Sequence, residues 1–270
     1  MAAWGSLLAC ALLAAAWAPA SQGPAAAIRL RVMTYNIQAG ARGLDGLVNA
    51  IHASAPDLAA LQEVDVHWAA RSGFADQARA LGARLGMEVR FAEIYRLPGT
   101  SGDPPREFGV ALLSRHPIVA FQNRALTRLS TQEAAPVPAP APGLLEARVD
   151  VQGTPVRVFN THLDYRADPA VRRQQVSEML TALGALAAPT LVFGDLNAEP
   201  QAPELAPFFD RLRDAWPPTA GPGFTYPAGA PAKRIDYVLV SPHFRVEAAA
   251  VPALEASDHR PVVVDLTLSK

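Results

Sequence analysis

"TLVFGDLNAEP", Thr190 to Pro200, opens as an interior strand and closes as something else. Leu191, Val192 and Phe193 suit the middle of a sheet buried on both faces. Gly194 interrupts the apolar run and reads as a bend. Asp195 and Asn197 follow with one Leu between them, on the same side of the chain. Alone, the pair suits an Asx-turn. The stretch decides the fold because its form recurs along the chain: an apolar strand that stops at a polar residue able to do chemistry.

Working outward, "IRLRVMTYNI" is a strand that stops at Asn36, and "DLAALQEV" is a short buried strand ending at Gln62 and Glu63. "TPVRVFNTHLD" stops at His162, "RIDYVLVS" begins at Asp236, and Asp258 with His259 stand just before the C-terminal strand "RPVVVDLTLS". "MEVRFAEIY", "FGVALLS", "IVAFQN", "LLEARVDV" and "FRVEAAAV" are further strands, and Gln152-Gly153 closes a hairpin. Between them, "GLDGLVNAIHAS" has apolar spacing for a short helix that Pro56 ends. "ADQARALGARLG" is a helix with Gly86 near its C-cap, and a third helix covers about 169–186. Residues 130–143, "STQEAAPVPAPAPG", read as an exposed irregular loop. Many strands with a few interspersed helices predict two packed sheets flanked by helices.

If the strands lie side by side, their polar ends share one edge and meet in one cleft, the usual place for chemistry in layered α/β folds. Each residue also has a plainer reading. Asn36 and Asp258 could serve turns, His162 could be a hydrogen-bonded core histidine, and Asp236 could pair with Arg234. Glu63 resists this, because a buried carboxylate is costly unless it is paired or metal-bound.

The chain has 270 residues and is 50% hydrophobic, enough for one large domain. Its formal net charge of -1 supplies no global basic field for nucleic acid. Lys233 and Lys270 are the only lysines, so Arg carries nearly all the positive charge. Arg106, Arg115 and Arg71 are candidate phosphate contacts. His52, His67 and His116 carry no supporting context and read as surface residues. "WGSLLACALLAAAWAPA" is an apolar run ending in an A-x-A-like site, so residues 1–20 are expected to be a signal peptide for export to the periplasm or beyond. No Lys or Arg precedes the run, and an uncleaved anchor is the competing reading. Cys10 is the only cysteine, so a processed chain has no disulfide, thiolate ligand or cysteine nucleophile.

"TYNIQ", "LQEVD", "GVALLSRHPI", "NTHLD", "GDLNAEP", "RIDYVLVS" and "SDHRPV" together resemble, in order, the endonuclease/exonuclease/phosphatase (DNase I-like) superfamily. "RSGFADQARALGARLGM" and "REFGVALLSRHPI" resemble its bacterial metal-dependent hydrolase branch. The resemblance covers residues 28–268 as a single domain and implies a four-layer α/β/β/α sandwich. It implies a divalent metal, Mg²⁺ or alternatively Mn²⁺, on Glu63 with Asn36 and Asp258. It further implies phosphate contact by His162, an Asp195–Asn197 pair, and an Asp236–His259 pair activating water. A sparse oxygen shell of this kind suits Mg²⁺, whereas a Zn²⁺ site would draw on His or Cys. The implied activity is phosphate-ester hydrolysis by a monomer with no obligate protein partner. The alternatives are a secreted DNase-type endonuclease, a sphingomyelinase-like lipid phosphodiesterase, and a non-enzymatic binding protein.

Overall fold

A computed structural model describes residues 1–2, 27–100 and 102–268. The expected signal peptide lies outside the described residues apart from its first two. In chain order the elements are β1 (Ile28–Asn36), α1 (Leu44–Ser54), β2 (Leu58–Val66), α2 (Gln77–Leu85), β3 (Glu88–Leu97), β4 (Arg106–Ser114), β5 (Ile118–Arg128) and β6 (Ala139–Val151). They continue with β7 (Thr154–His162), α3 (Ala170–Leu183), β8 (Thr190–Asp195), α4 (Ala206–Phe209), β9 (Arg213–Asp214), β10 (Asp236–Val240), β11 (Phe244–Ala250) and β12 (Val262–Leu268).

The strands form two mixed six-stranded sheets, in the orders β11-β12-β1-β2-β4-β3 and β5-β6-β7-β8-β10-β9. Leu30, Val32, Leu58 and Ala60 of the first sheet join Val156, Val158, Leu191, Phe193 and Val238 of the second in a core between the sheets. Met33, Tyr35, Ala59 and Leu61 face the other way, onto α1 and α2. Phe159, Val192, Tyr237 and Leu239 likewise face α3 and α4. Strand alternation, with successive side chains on opposite faces, thus generates four layers from one pattern.

The helix ends follow local chemistry. Asp76 caps α2 by accepting from Arg79 N at 2.9 Å. Ala55 leaves α1 in a left-handed conformation just before Pro56. Gln152 and Gly153 both have positive φ, as a two-residue hairpin turn requires.

Two local expectations need correction. Ala139–Gly143 belong to β6, with Ala139, Pro140 and Ala141 paired to β5, so only the first part of 130–143 is irregular. Pro142 falls in the register irregularity between the Leu144 and Ala141 pairs, where the ladder asks no donor of it. Gly194 is no bend either. β8 runs through it, paired with Tyr237 and Thr161. A Cβ there would meet Thr161 O at 2.6 Å, so the glycine serves the close approach of β7.

Candidate active site

Topology gathers the polar strand ends at one edge. β1 and β2 are parallel, as are β7 and β8, so Asn36, His162 and Asp195 leave their sheets on the same side. β10 is antiparallel to β8, with Asp236 directly opposite Asp195. β12 is antiparallel to β1 with Val262 opposite Thr34, which brings the preceding Asp258 and His259 to that edge too.

Alternation also aims these side chains. On each strand the residues facing the other sheet form a series that is apolar inside and polar at the rim. Leu30 and Val32 lead to Asn36, Val156 and Val158 to His162, Leu191 and Phe193 to Asp195, and Val240 and Val238 to Asp236.

Glu63 is the exception that needs a device. Continued alternation from Ala59 and Leu61 would turn it toward the helices. Pairing jumps from Leu61–Ala111 to Val64–Gly109, so Gln62 and Glu63 together oppose Val110. This β-bulge, with Glu63 at a φ of 55°, re-aims the carboxylate into the cleft. The bulge is braced from the second sheet. Asn160 Nδ2 donates to Leu61 O and Ala111 O, both at 2.9 Å, and its Oδ1 accepts from Gln62 Nε2 at 2.7 Å.

Asp195 is the hub. Asn36 Nδ2 donates to Asp195 Oδ2 and to Glu63 Oε1, each at 3.0 Å. His162 Nε2 and His259 Nε2 lie 3.5 and 3.7 Å from the same Asp195 oxygen. His259 Nδ1 pairs with Asp236 Oδ2 at 2.9 Å, and the Tyr226 ring packs 4.8 Å from the imidazole. Burial raises the Asp195 carboxyl above the ordinary range, helped by Asp236, while both histidines and Asn36 pull it back. Burial works to lower His259, but Asp236, Asp195 and Asp258 outweigh it and push the imidazole up to about 10.

A cleft of about 420 Å³ opens over these groups, lined by Glu63, His162, Asp195, Asn197, Asp258 and His259. Asp195 Oδ1 accepts from Asn197 N at 2.9 Å, the Asx-turn itself, and Asn197 has a φ of 50° with its Nδ2 donating to Leu163 O. The turn and the cleft wall are therefore one feature.

Comparison with known proteins agrees with this geometry. The model of the Endonuclease/Exonuclease/phosphatase family matches residues 33–259. The chain belongs to that family, whose members hydrolyse phosphate esters. An endonuclease/exonuclease/phosphatase from Beutenbergia cavernae is 26% identical with a TM-score of 0.67, over 90% of this chain and 72% of that one. A mannosyl-6-phosphatase from Bacteroides thetaiotaomicron is 18% identical with a TM-score of 0.65, over 88% and 99% of the two chains. The human Nocturnin catalytic domain, with bound sulfate, is 22% identical with a TM-score of 0.65, over 89% and 94%. No curated protein matches the chain.

The family is generally metal-dependent, and the donor set here fits an oxygen-liganded cation. Glu63 and Asp258 both line the cleft, and neither is in a salt bridge among the described residues. Among the described residues, Glu63 accepts from Asn36 Nδ2, and Asp258 Oδ1 lies 3.3 Å from Ser257 Oγ. Asn36 does not offer an oxygen beside Glu63, because its Oδ1 accepts from Gln38 N at 3.0 Å and its amide N–H faces the carboxylate. Asp195, Asp236 and His259 also cluster within 4.8 Å; His259 Nδ1 pairs with Asp236 Oδ2, while the buried Asp236 Oδ1 has no partner.

The arginines divide. Arg71 is held by Asp65 through two contacts of 3.0 and 2.8 Å. Arg106 lies 5.8 Å over Trp68 with its Nε unpartnered. Arg115 does not reach the cleft. Ser114 pairs with Leu58 at the start of β2, and Arg115 Nε donates to Pro56 O at that opposite edge. His67 Nδ1 meets Phe74 O outside the cleft. Sequence reading gave no role to Gln62, Asn160, Ser257, Tyr226 or Lys233. Ser257 Oγ donates to Asn36 O at 2.7 Å and steadies the Asp258–His259 turn, while Tyr226 and Lys233 line the cleft.

Proposed function

We propose that this protein is an exported phosphoesterase, dependent on a divalent metal, that activates its hydrolytic water at the Asp195–His259 pair. One observation carries the reading. The line Asp236–His259–Asp195 ends in a cleft that also holds two carboxylates, Glu63 and Asp258, in no salt bridge among the described residues. Export rests on the apolar N-terminal run and the A-x-A-like site after it.

Asp236 accepts the Nδ1 hydrogen of His259, which fixes the ring and leaves Nε2 toward Asp195. The attacking water surrenders its proton to the Asp195 carboxylate, which the charged His259 ring faces. His162 and the free N–H of Asn197 offer donors to the phosphoryl oxygens, a preorganised contribution of ~3 kcal/mol each. Glu63 and Asp258 would hold the cation, Mg²⁺ or Mn²⁺, with Asn36 orienting Glu63 through its amide N–H. When bound, the cation polarises the phosphoryl group and neutralises its developing charge.

The test is hydrolysis of bis(p-nitrophenyl) phosphate and p-nitrophenyl phosphate with Mg²⁺ and with Mn²⁺. EDTA abolishes turnover, and Glu63→Ala and His259→Ala each lower kcat/KM by roughly a thousandfold. Full activity in either variant sinks the proposal.

A further inference from the structure

A second cavity, of about 200 Å³, joins the catalytic cleft, and the two share Glu63, His162 and Tyr165 in their walls. Nothing in the reaction just described uses it. Its sides are largely apolar and aromatic, including Tyr95, Phe108 and the 63%-exposed Tyr165, with the paired Asp164 and Arg166 and the shared Glu63 also in the wall. Two polar side chains that line it are unusual.

Gln175 is fully buried. Its Oε1 accepts from Asp164 N at 2.9 Å, which fixes the amide orientation, and its Nε2 has no partner. Buried donors without partners are uncommon, and each calls for a specific explanation.

Arg128 is 8% exposed and is held by carbonyls alone, those of Pro142, His162 and Gly143 at 2.9, 2.9 and 3.0 Å. Those contacts use three of the five guanidinium donors. No carboxylate pairs with it among the described residues. Asp164 is committed to Arg166, and Glu178 accepts from Thr127. Burial draws the guanidinium down to about 10, so it stays charged at neutral pH.

Away from the wall it shares with the cleft, where Glu63 stands, the cavity offers spare donors and a cation with no paired carboxylate among the described residues, and so favours groups that only accept. We propose that this cavity is a substrate subsite for a second oxyanion, a carboxylate or a further phosphate, carried a short linker away from the phosphate that reacts. The inference rests on the phosphoesterase reading for where the reacting phosphate sits. It adds that the natural substrate carries two anionic groups.

The experiment compares propyl phosphate with propane-1,3-diol bisphosphate and with 4-phosphobutyrate, using wild type and Gln175→Glu. The substitution keeps the acceptor for Asp164 N and replaces the orphan donor by a negative charge in the wall of the cavity that Arg128 also lines. Wild type is expected to favour at least one doubly anionic substrate by roughly tenfold or more in kcat/KM, through KM. The substrate favoured tells carboxylate from phosphate. In Gln175→Glu that ratio collapses toward one. Equal kcat/KM for all three in wild type overturns the subsite, and this arm needs no variant to fold. A variant that loses activity on every substrate with its ratio intact also overturns it, since that is a structural effect. Should wild type hydrolyse none of them, calorimetric binding of the same compounds separates the two ideas. Preferential binding of a doubly anionic compound keeps the subsite while the phosphoesterase reading falls, and equal binding removes the subsite.

Discussion

Asp236→Asn isolates the contact that gives His259 its chemistry. Asp236 Oδ2 stands 2.9 Å from His259 Nδ1, and neither side chain is appreciably exposed. At an effective dielectric of about 20, unit charges at that separation attract by about 6 kcal/mol. The imidazole is raised from 6.5 to about 10. At 1.36 kcal/mol per pKa unit, that corresponds to about 5 kcal/mol in favour of the charged form. That net shift also carries the opposing cost of burial and the pull of Asp195 and Asp258, among which Asp236 is the largest favourable contribution. Asn keeps the shape and removes the charge. In chelator-treated protein, NMR titration of His259 should therefore fall by about two units or more. Because the folded value is raised, its stabilisation is complete below 6.5 and is lost as pH climbs through about 10. The variant should lack most of that alkaline loss in denaturant titrations. Turnover should drop by roughly a hundred- to ten-thousandfold, because the ring is no longer fixed with Nε2 toward Asp195. A His259 titration within half a unit or so of wild type, with activity retained, would refute the assignment.

Three further substitutions test how the site is held. Gly194→Ala puts a Cβ 2.6 Å from Thr161 O and should cost about 1–3 kcal/mol in urea unfolding, with activity falling as β8 shifts Asp195; an unchanged midpoint would deny the close approach. Asn160→Leu removes the amide that satisfies Leu61 O and Ala111 O, and should cost roughly 3 kcal/mol or more by thermal unfolding. Its kcat should fall as well, since the bulge that aims Glu63 loses its brace, and wild-type kcat would show that the bulge stands alone. Arg115→Ala should leave kcat/KM within about twofold of wild type, because its contacts lie at the edge away from the cleft; a large loss would mean that substrate reaches there.

What the sequence revealed, and where it misled, both follow from strand geometry. Alternation along "LVFGD" and "VRVFNTH" carries a residue from the apolar core face to the polar rim without changing sides, so Asp195 and His162 were legible. The parallel pairs β1–β2 and β7–β8 then put those rims together. Glu63 was found by its chemistry, not by its pattern, since alternation from Leu61 points it at the helices and only the bulge reverses that. No residue type announces the bulge, because a glutamate rather than a glycine takes the positive φ. Arg115 failed for the complementary reason. A residue that follows a strand belongs to the active edge only if the strand runs toward it, and β4 runs antiparallel to β2. The same reversal places Arg106, at the start of β4, opposite the end of β2 and beside Trp68, where an unpartnered Nε remains. Strand direction, which only the assembled sheet discloses, therefore sets Arg115 at the edge away from the cleft and Arg106 at the end of β4 that lies opposite the end of β2.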